Sequence, residues 1–170
     1  MSTLRDLTSR TPHAGRVERI YVRPARDVPV HEVDAVLAIA GRGLEGDRSA
    51  KTARAGHKRQ VTLMQAEHVP LIAAWTHNER VTPAVFRRNL HIAGVNLLAA
   101  RALFDDQPVR IAIGDSVVLI VTGSCDPCSK MEAALGEGGY NAMRGHGGIT
   151  ATIVVGGIIK RHDAVRIFVG

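Results

Sequence analysis

The sequence predicts a single, mainly β domain: a barrel or closed sheet of mixed, mostly antiparallel strands with several short peripheral helices. Short apolar segments bounded by glycine, proline and aspartate outnumber the helical segments. The strands and helices also show no regular alternation of the kind that indicates a parallel sheet. With 170 residues, 45% of them hydrophobic, the chain is long enough to bury one core. We expect a lead-in at residues 1–15 and one domain at residues 16–170.

Strands and helices of the first half are predicted from β-branched content and from proline and glycine positions. Pro24 closes the first strand, and glycines punctuate a loop at residues 41–48. Pro70 is expected in the first turn of a helix or at a kink. Thr82-Pro83 is typical of a helix start, with an N-cap followed by proline. The strands are predicted at residues 16–23, 33–40 and 60–64, and the helices at 65–76 and 83–88.

The second half begins with two strands, residues 109–113 and 116–121, joined by a tight Gly114-Asp115 turn. A segment with both cysteines of the chain follows, and then a short helix. A glycine-rich stretch leads from that helix to the last strands. The helix is predicted at residues 129–135, the glycine-rich stretch at 136–148 and the strands at 149–155 and 165–169.

The charge balance favours an anionic small molecule as the ligand. The formal net charge is +6, which attracts phosphate or a phosphorylated cofactor. Basic residues form no continuous run and aromatic residues make up only 4%, so nucleic acid is not the expected partner. The longest apolar run, residues 149–159, is interrupted by threonine and glycine and is too short to span a membrane. The polar N-terminus lacks a secretory signal pattern, and we expect a cytoplasmic protein.

The segment Cys125-Asp126-Pro127-Cys128 is the strongest candidate for chemistry. It follows an apolar strand and precedes a predicted helix. A thiol at a helix start meets unpaired backbone N–H groups and the positive end of the helix dipole, which favour the thiolate. Thiolates attack electrophiles and bind soft metals. Because Cys128 is nearer the helix start, we predict it to be the more activated thiol and the principal catalytic residue, with Cys125 as the second candidate.

Other interpretations of the cysteine pair remain open. A structural disulfide framework is disfavoured because the two cysteines are three positions apart. A thioredoxin-like redox module would use both thiols, but it needs a βαβ unit that the pattern lacks. A zinc site would need two further ligands, such as His57, His146 or His162, and no paired spacing indicates them. The two cysteines could also have no chemical role.

A basic and polar group of residues is the second candidate site. Arg87 and Asn89 lie at a predicted helix end, and Arg48 and Arg59 precede them in the chain. Guanidinium groups bind phosphate with two parallel hydrogen bonds, and an asparagine amide can bind a ring edge. The alternative is a solvated basic surface. We predict that these four residues bind a cofactor. A further open alternative is a protein that binds an anion and catalyses no reaction.

The glycine-rich stretch at residues 136–148 is the third candidate. Glycine at such density lets the backbone approach either a ligand or another strand closely. Arg144 and His146 could supply charge and hydrogen bonds to a ligand, and we predict them as cofactor-binding residues. A flexible loop is the alternative, although Tyr140 and Met143 favour an ordered one.

Together these segments resemble the MOSC domain family, over roughly residues 17–168. The family is named for the C-terminal part of molybdenum cofactor sulfurase. It also includes the mitochondrial amidoxime-reducing proteins and small free-standing bacterial proteins. The segments that carry the resemblance, in chain order, are Gly43-Leu44-Glu45-Gly46-Asp47-Arg48, Phe86-Arg87-Arg88-Asn89-Leu90, Gly94-Val95-Asn96-Leu97, Ile113-Gly114-Asp115 and Pro127-Cys128.

The resemblance implies a MOSC-type β-barrel and a site for the pyranopterin molybdenum cofactor. It implies that Cys128 binds molybdenum or carries sulfur as a persulfide, and that Arg87 and Asn89 lie in the cofactor-binding region. Two functions follow: a reductase of N-hydroxylated compounds with an electron-transfer partner, or a sulfur carrier and cofactor-handling protein. Pyridoxal phosphate is not expected within this chain. A carrier would therefore receive its sulfur from a separate cysteine desulfurase.

Overall fold

Strands follow one another with few helices between them along the part of the chain that the computed structural model describes, residues 1–52, 54 and 56–170. The strands are β1 (Gly15–Val22), β2 (His31–Val33), β3 (Ala35–Ile39), β4 (Gly43–Leu44), β5 (Val61–Gln65), β6 (Leu90–Ala93), β7 (Val109–Ile113), β8 (Val117–Ser124), β9 (Ile149–Val155), β10 (Gly157–Lys160) and β11 (Ala164–Val169). The α-helices are α1 (Leu4–Thr8), α2 (Arg48–Thr52), α3 (His68–Trp75), α4 (Ser129–Leu135) and α5 (Gly139–Met143). Two short 3-10 helices cover Pro83–Phe86 and Leu97–Ala100.

Seven of these strands close into a barrel. The order is β11, β7, β8, β9, β5, β6 and β1, and β1 then pairs with β11 through Gly15 and Val165. Neighbours are antiparallel except β5 and β6, which are parallel. Strand β2 extends the sheet beyond β1, while β10, β3 and β4 form a separate three-stranded sheet. The predicted fold class, a mainly β barrel with mixed strands and short helices, is confirmed.

Aliphatic side chains fill the barrel. In β7, Val109, Ile111 and Ile113 are buried, while the residues between them are partly exposed, the period of two expected of a strand with one buried face. The same interior holds apolar residues of all seven barrel strands. Closure leaves no free edge between β1 and β11, which makes the barrel a rigid support for the loops at its ends.

A second apolar layer lies between the barrel and the helices. Met64 of β5 packs there with residues from α3, α4, α5 and the 3-10 helix. The remaining buried members are Ile72, Phe86, Met131, Leu135 and Met143. Burial of Met131 and Leu135 anchors α4 on the barrel, so the residue that precedes α4, Cys128, has a defined position.

The structure departs from the predicted elements in several places. The strand predicted at residues 33–40 is interrupted at Asp34, which separates β2 from β3. The helix predicted at 83–88 ends at Phe86 because Arg87 adopts a left-handed conformation with φ of 56°. Strands β4, β6 and β10 and helices α1, α2 and α5 were not predicted. Within the described ranges, no helix is long and apolar enough to cross a bilayer.

His91 of β6 is a buried ionisable residue in the layer outside the barrel. Its side chain is 1% exposed and meets the ring of Tyr21 edge-on at 5.5 Å. Neither ring nitrogen has a hydrogen-bond partner among the described residues. Burial lowers the pKa of His91 from 6.5 to about 4, and the charges of Arg88 and Arg19 act in the same direction.

We expect His91 to make the protein less stable in acid. Between pH 6.5 and about 4 the unfolded chain binds a proton at this residue that the folded protein does not, so stability falls as the pH falls through this window. The full loss is about 3 kcal/mol. Urea unfolding at pH 7, 5.5 and 4 measures it, with His91→Phe as the comparison. An equal pH dependence in the two proteins would show that another group is responsible.

Candidate functional site

A cavity of about 360 Å³ lies outside the barrel, where the end of β1, the segment after β4, the start of β5 and the start of α4 converge. Its lining is strongly basic. The cationic side chains that contribute to it are Arg23, Arg48, Arg59, Arg87, Arg88 and Lys130. Among the described residues, Asp47 is the one carboxylate in the lining, and Cys128 is the one thiol.

Cys128 is the N-cap residue of α4 and is exposed. Its carbonyl oxygen accepts a hydrogen bond from the Met131 N–H at 2.8 Å, which begins the helix. Its side chain makes no capping hydrogen bond. A free thiol therefore stands in the wall of a basic cavity, accessible to a ligand in the cavity and to solvent.

Cys125 has a different environment, because it is 1% exposed. Its backbone N–H donates to the carbonyl of Gly148 at 2.9 Å, and its sulfur accepts a hydrogen bond from the Arg59 guanidinium at 3.2 Å. Arg59 also lines the cavity, so Cys125 adjoins the site through this contact without lining it. The Cys128 thiol is thus accessible to solvent, whereas the Cys125 thiol is buried.

Arg88 holds the cysteine segment in place. It is 6% exposed, and its guanidinium donates to three carbonyl oxygens: Gly147 at 2.7 Å, Phe86 at 2.8 Å and Cys125 at 3.2 Å. Burial lowers the pKa of Arg88, and the nearby Cys125 opposes this shift. One side chain therefore joins the 3-10 helix, the cysteine segment and the glycine-rich stretch. Sequence reasoning missed this role, since a buried arginine with carbonyl partners has no local signature.

The glycines at the end of the glycine-rich stretch allow close backbone packing. A Cβ on Gly148 would overlap the carbonyl oxygen of Leu63 in β5, and φ at this position is +92°. A Cβ on Gly147 would overlap the carbonyl oxygen of Cys125. Of the two uses that the sequence suggested for this glycine density, close approach to another strand is the one observed here.

Asp47 and Asn89, which both line the cavity, form a partly buried polar network in its wall. The side-chain oxygen of Asn89, Oδ1, accepts from the Thr62 N–H and hydroxyl, both at 3.0 Å. Its amide donates to the Tyr21 carbonyl at 3.2 Å and to Asp47 at 3.1 Å. Asp47 also accepts from the Arg23 N–H and from Ser49. Because the protein occupies both ends of the Asn89 amide, this residue holds β1, β5 and the arginine segment together.

Two arginines of the cavity, Arg23 and Arg87, are incompletely satisfied by the protein. The buried Nε atoms of Arg23 and Arg87 have no hydrogen-bond partner among the residues described. Burial lowers the pKa of Arg23, with repulsion from Arg87 adding to it and Asp47 opposing it. Arg87 holds a left-handed backbone conformation that arginine rarely adopts. Unsatisfied donors and mutual repulsion are what an anionic ligand would relieve.

The structure brings together five of the eight predicted site residues, places Cys125 beside them through Arg59 and leaves two apart. Those that line the cavity are Arg48, Arg59, Arg87, Asn89 and Cys128. Arg144 and His146 do not line it: the His146 ring packs edge-on against Trp75 at 5.0 Å and His68 at 4.6 Å. Arg144 contacts Asn141 at 3.5 Å. Their assignment to the same ligand therefore gains no support from their position.

The zinc alternative has no ligand set in the part of the chain described. No three histidine, cysteine, aspartate or glutamate side chains there lie close enough together to hold a metal ion.

Comparisons with known proteins identify the family. The sequence model of the MOSC domain matches residues 50–166. The YuaD protein of Bacillus subtilis superposes with a TM-score of 0.73 at 17% identity, over 91% of this chain and 95% of that one. YiiM of Escherichia coli gives a TM-score of 0.66 at 19% identity, over 92% and 70%. YiiM of Geobacillus stearothermophilus gives 0.64 at 15%, over 92% and 75%. No curated protein sequence matches this chain.

Proposed function

The chain belongs to the MOSC domain family, and on that premise we propose that it binds the pyranopterin molybdenum cofactor in the basic cavity, with Cys128 as the thiol ligand of the metal. One observation carries the proposal. A free, exposed thiol lies in the wall of a cavity whose cationic side chains outnumber its single described carboxylate. That carboxylate, Asp47, is itself occupied by internal hydrogen bonds.

The residues present fit this cofactor. Its phosphate needs charged donors, and the guanidinium groups of Arg23 and Arg87 lie in the cavity lining. For its molybdenum, Cys128 offers a thiol sulfur, a soft ligand, at the helix cap. Arg48, Arg59 and Lys130 supply further positive charge around the same space. When bound, the cofactor supplies a metal centre for two-electron redox chemistry.

Two activities are compatible with such a site. The first activity is that of a reductase. An N-hydroxylated compound takes up two electrons and two protons and leaves as the amine and water. The electrons come from a partner protein. The chain's own contribution would be to retain the cofactor through the cavity cations and Cys128.

The exposure of Cys128 favours a second activity, sulfur transfer. The Cys128 thiolate attacks the outer sulfur of a persulfide on a donor protein. The S–S bond of the donor breaks, its cysteine leaves as a thiolate, and Cys128 becomes a persulfide. This step needs only an accessible thiol, with a cysteine desulfurase as the donor.

Two measurements on the same preparation separate these activities. Cyanide releases thiocyanate from a persulfide, so thiocyanate that is lost in Cys128→Ser supports the carrier. Reduction of an N-hydroxylated amidine by chemically reduced protein supports the reductase. Thiocyanate without reductase activity would leave the carrier as the function, and the reverse result would leave the reductase.

We expect Arg87→Ala to weaken binding of the phosphorylated pterin by about 1.5–3 kcal/mol, the scale of a charge-assisted hydrogen bond. Arg87→Lys should restore part of this, because lysine keeps the charge and lacks the planar fork. Fluorescence titration with the metal-free pterin phosphate measures the affinity. Arg5→Ala, an exposed arginine paired with Asp106, serves as the control. Equal affinities for Arg87→Ala and the wild-type protein would remove Arg87 from the site.

A further inference from the structure

Residues 24–30, which connect β1 to β2, form a strap beside the cavity. The strap leaves the cavity lining at Arg23 and returns to it at Val30. Residues 25–27 and 29 are exposed, so the strap is not packed into the core. The strap is therefore held beside the cavity by a few specific contacts.

At the start of the strap, Lys51 donates to the Pro24 carbonyl oxygen at 3.4 Å, and two cations of the cavity provide the contacts at the turn. The Lys130 ammonium forms a salt bridge with the carboxylate of Asp27. The Arg87 guanidinium donates a hydrogen bond to the carbonyl oxygen of Val28 at 3.2 Å. Asp27 has φ of 58°, a left-handed conformation that aspartate tolerates better than most residues and that forms the tight turn of the strap.

Asp27 is thus an anion supplied by the chain itself at the edge of an anion-binding cavity. The hydrogen bond and charge of Lys130 lower the pKa of Asp27, with smaller contributions from Arg26 and Arg87 in the same direction. Its carboxylate is ionised at neutral pH and engages a cation that a phosphate would also use.

We propose that Asp27 is a built-in competitor for the ligand and determines the charge that the ligand must carry. This inference rests on the proposed binding of a phosphorylated cofactor. A ligand must displace one carboxylate from Lys130 and one carbonyl oxygen from Arg87. A phosphate monoester carries nearly two negative charges at neutral pH and offers three acceptor oxygens, so it competes better than a carboxylate ligand with one charge.

The same contacts couple phosphate binding to the hydrogen exchange of the strap. When phosphate takes Lys130 and Arg87, the tethers at Asp27 and Val28 are broken, while the contact of Lys51 with Pro24 at the start of the strap remains. Its backbone amides then exchange with solvent faster, although they lie outside the phosphate contacts. A strap that merely neighbours the cavity would show no such change.

The test uses the full-length, cofactor-free protein with inorganic phosphate as the probe at low ionic strength. We expect Asp27→Asn to bind phosphate about two- to fivefold more tightly than wild type, the range set by an exposed ion pair. Asp34→Asn removes the same charge at a pair with Arg161 outside the cavity and should leave the affinity unchanged. Hydrogen exchange of residues 24–30 should accelerate on phosphate saturation of the wild-type protein. In Asp27→Asn without phosphate it should already be faster than in the wild-type protein, because the Lys130 tether is lost while the Arg87 tether remains.

The possible failures are distinguishable. If the wild-type protein binds phosphate, Arg87→Ala weakens that binding and Asp27→Asn does not alter it, the competitor role is wrong while the anion site stands. Slower exchange of the strap on phosphate binding would also overturn the inference, since it would show closure over the ligand. Phosphate affinity that is insensitive to Arg87→Ala would instead overturn the proposed site.

Discussion

Cys128→Ser protein made in a host that synthesises the pyranopterin is expected to retain no more molybdenum than protein from a host blocked in that synthesis. Cys128 is the one thiol that lines the cavity within the described structure. A serine hydroxyl is a poor ligand for a soft metal site, and it cannot form a persulfide. Molybdenum per protein is measured by elemental analysis, and thiocyanate release is measured in parallel. Both signals should be lost together.

Cys125→Ser is the matched variant. Cys125 is buried and its sulfur contacts Arg59, so the substitution changes the wall of the site and leaves the accessible thiol in place. We expect a partial loss of molybdenum. Equal and complete loss in both variants, together with a Cys125–Cys128 disulfide on mild oxidation, would contradict this account and favour the redox module that uses both thiols.

Arg88→Met is expected to lower the free energy of unfolding by about 3–5 kcal/mol. Methionine fills a similar apolar volume, but the carbonyl oxygens of Gly147, Phe86 and Cys125 lose their donor. Each buried acceptor left without a partner costs about 1–3 kcal/mol. Urea unfolding followed by circular dichroism measures the change.

Arg88→Lys should recover a part of this loss, because a single ammonium group cannot reach three carbonyl oxygens in the geometry of the guanidinium. Arg101→Met, at an exposed arginine, is the control and should change stability by less than about 0.5 kcal/mol. A loss below about 1 kcal/mol in Arg88→Met would show that the cysteine segment is held by other contacts.

The elements that sequence reasoning located well have strong local signals. Helix α4 and strand β9 begin and end at the predicted residues. The first contains a short amphipathic pattern after the cysteines, and the second is a β-branched run bounded by glycine. By contrast, all four residues of β6 are buried, so it shows no alternation, and its pairing with β5 depends on distant residues.

The candidate site could be predicted only in part, because residue type is a local signal and the contacts of each residue are not. Residue type indicated that Cys128, Arg87 and Arg59 suit an anionic, thiol-reactive ligand, and the fold places them in one cavity. Asn89 has the right chemistry for a ligand, yet its amide is used by Thr62 and Tyr21. The distribution of such groups between ligand and framework is decided by contacts across the barrel, which no local pattern contains.

The most direct test of the central claim is the molybdenum content of the wild-type protein from two hosts, one competent and one blocked in pyranopterin synthesis. We expect reproducible molybdenum from the competent host and none from the blocked host. Cys128 should resist alkylation only in the loaded protein. Molybdenum-free protein from the competent host, with Cys128 equally reactive in both preparations, would contradict the claim that this cavity binds the molybdenum cofactor.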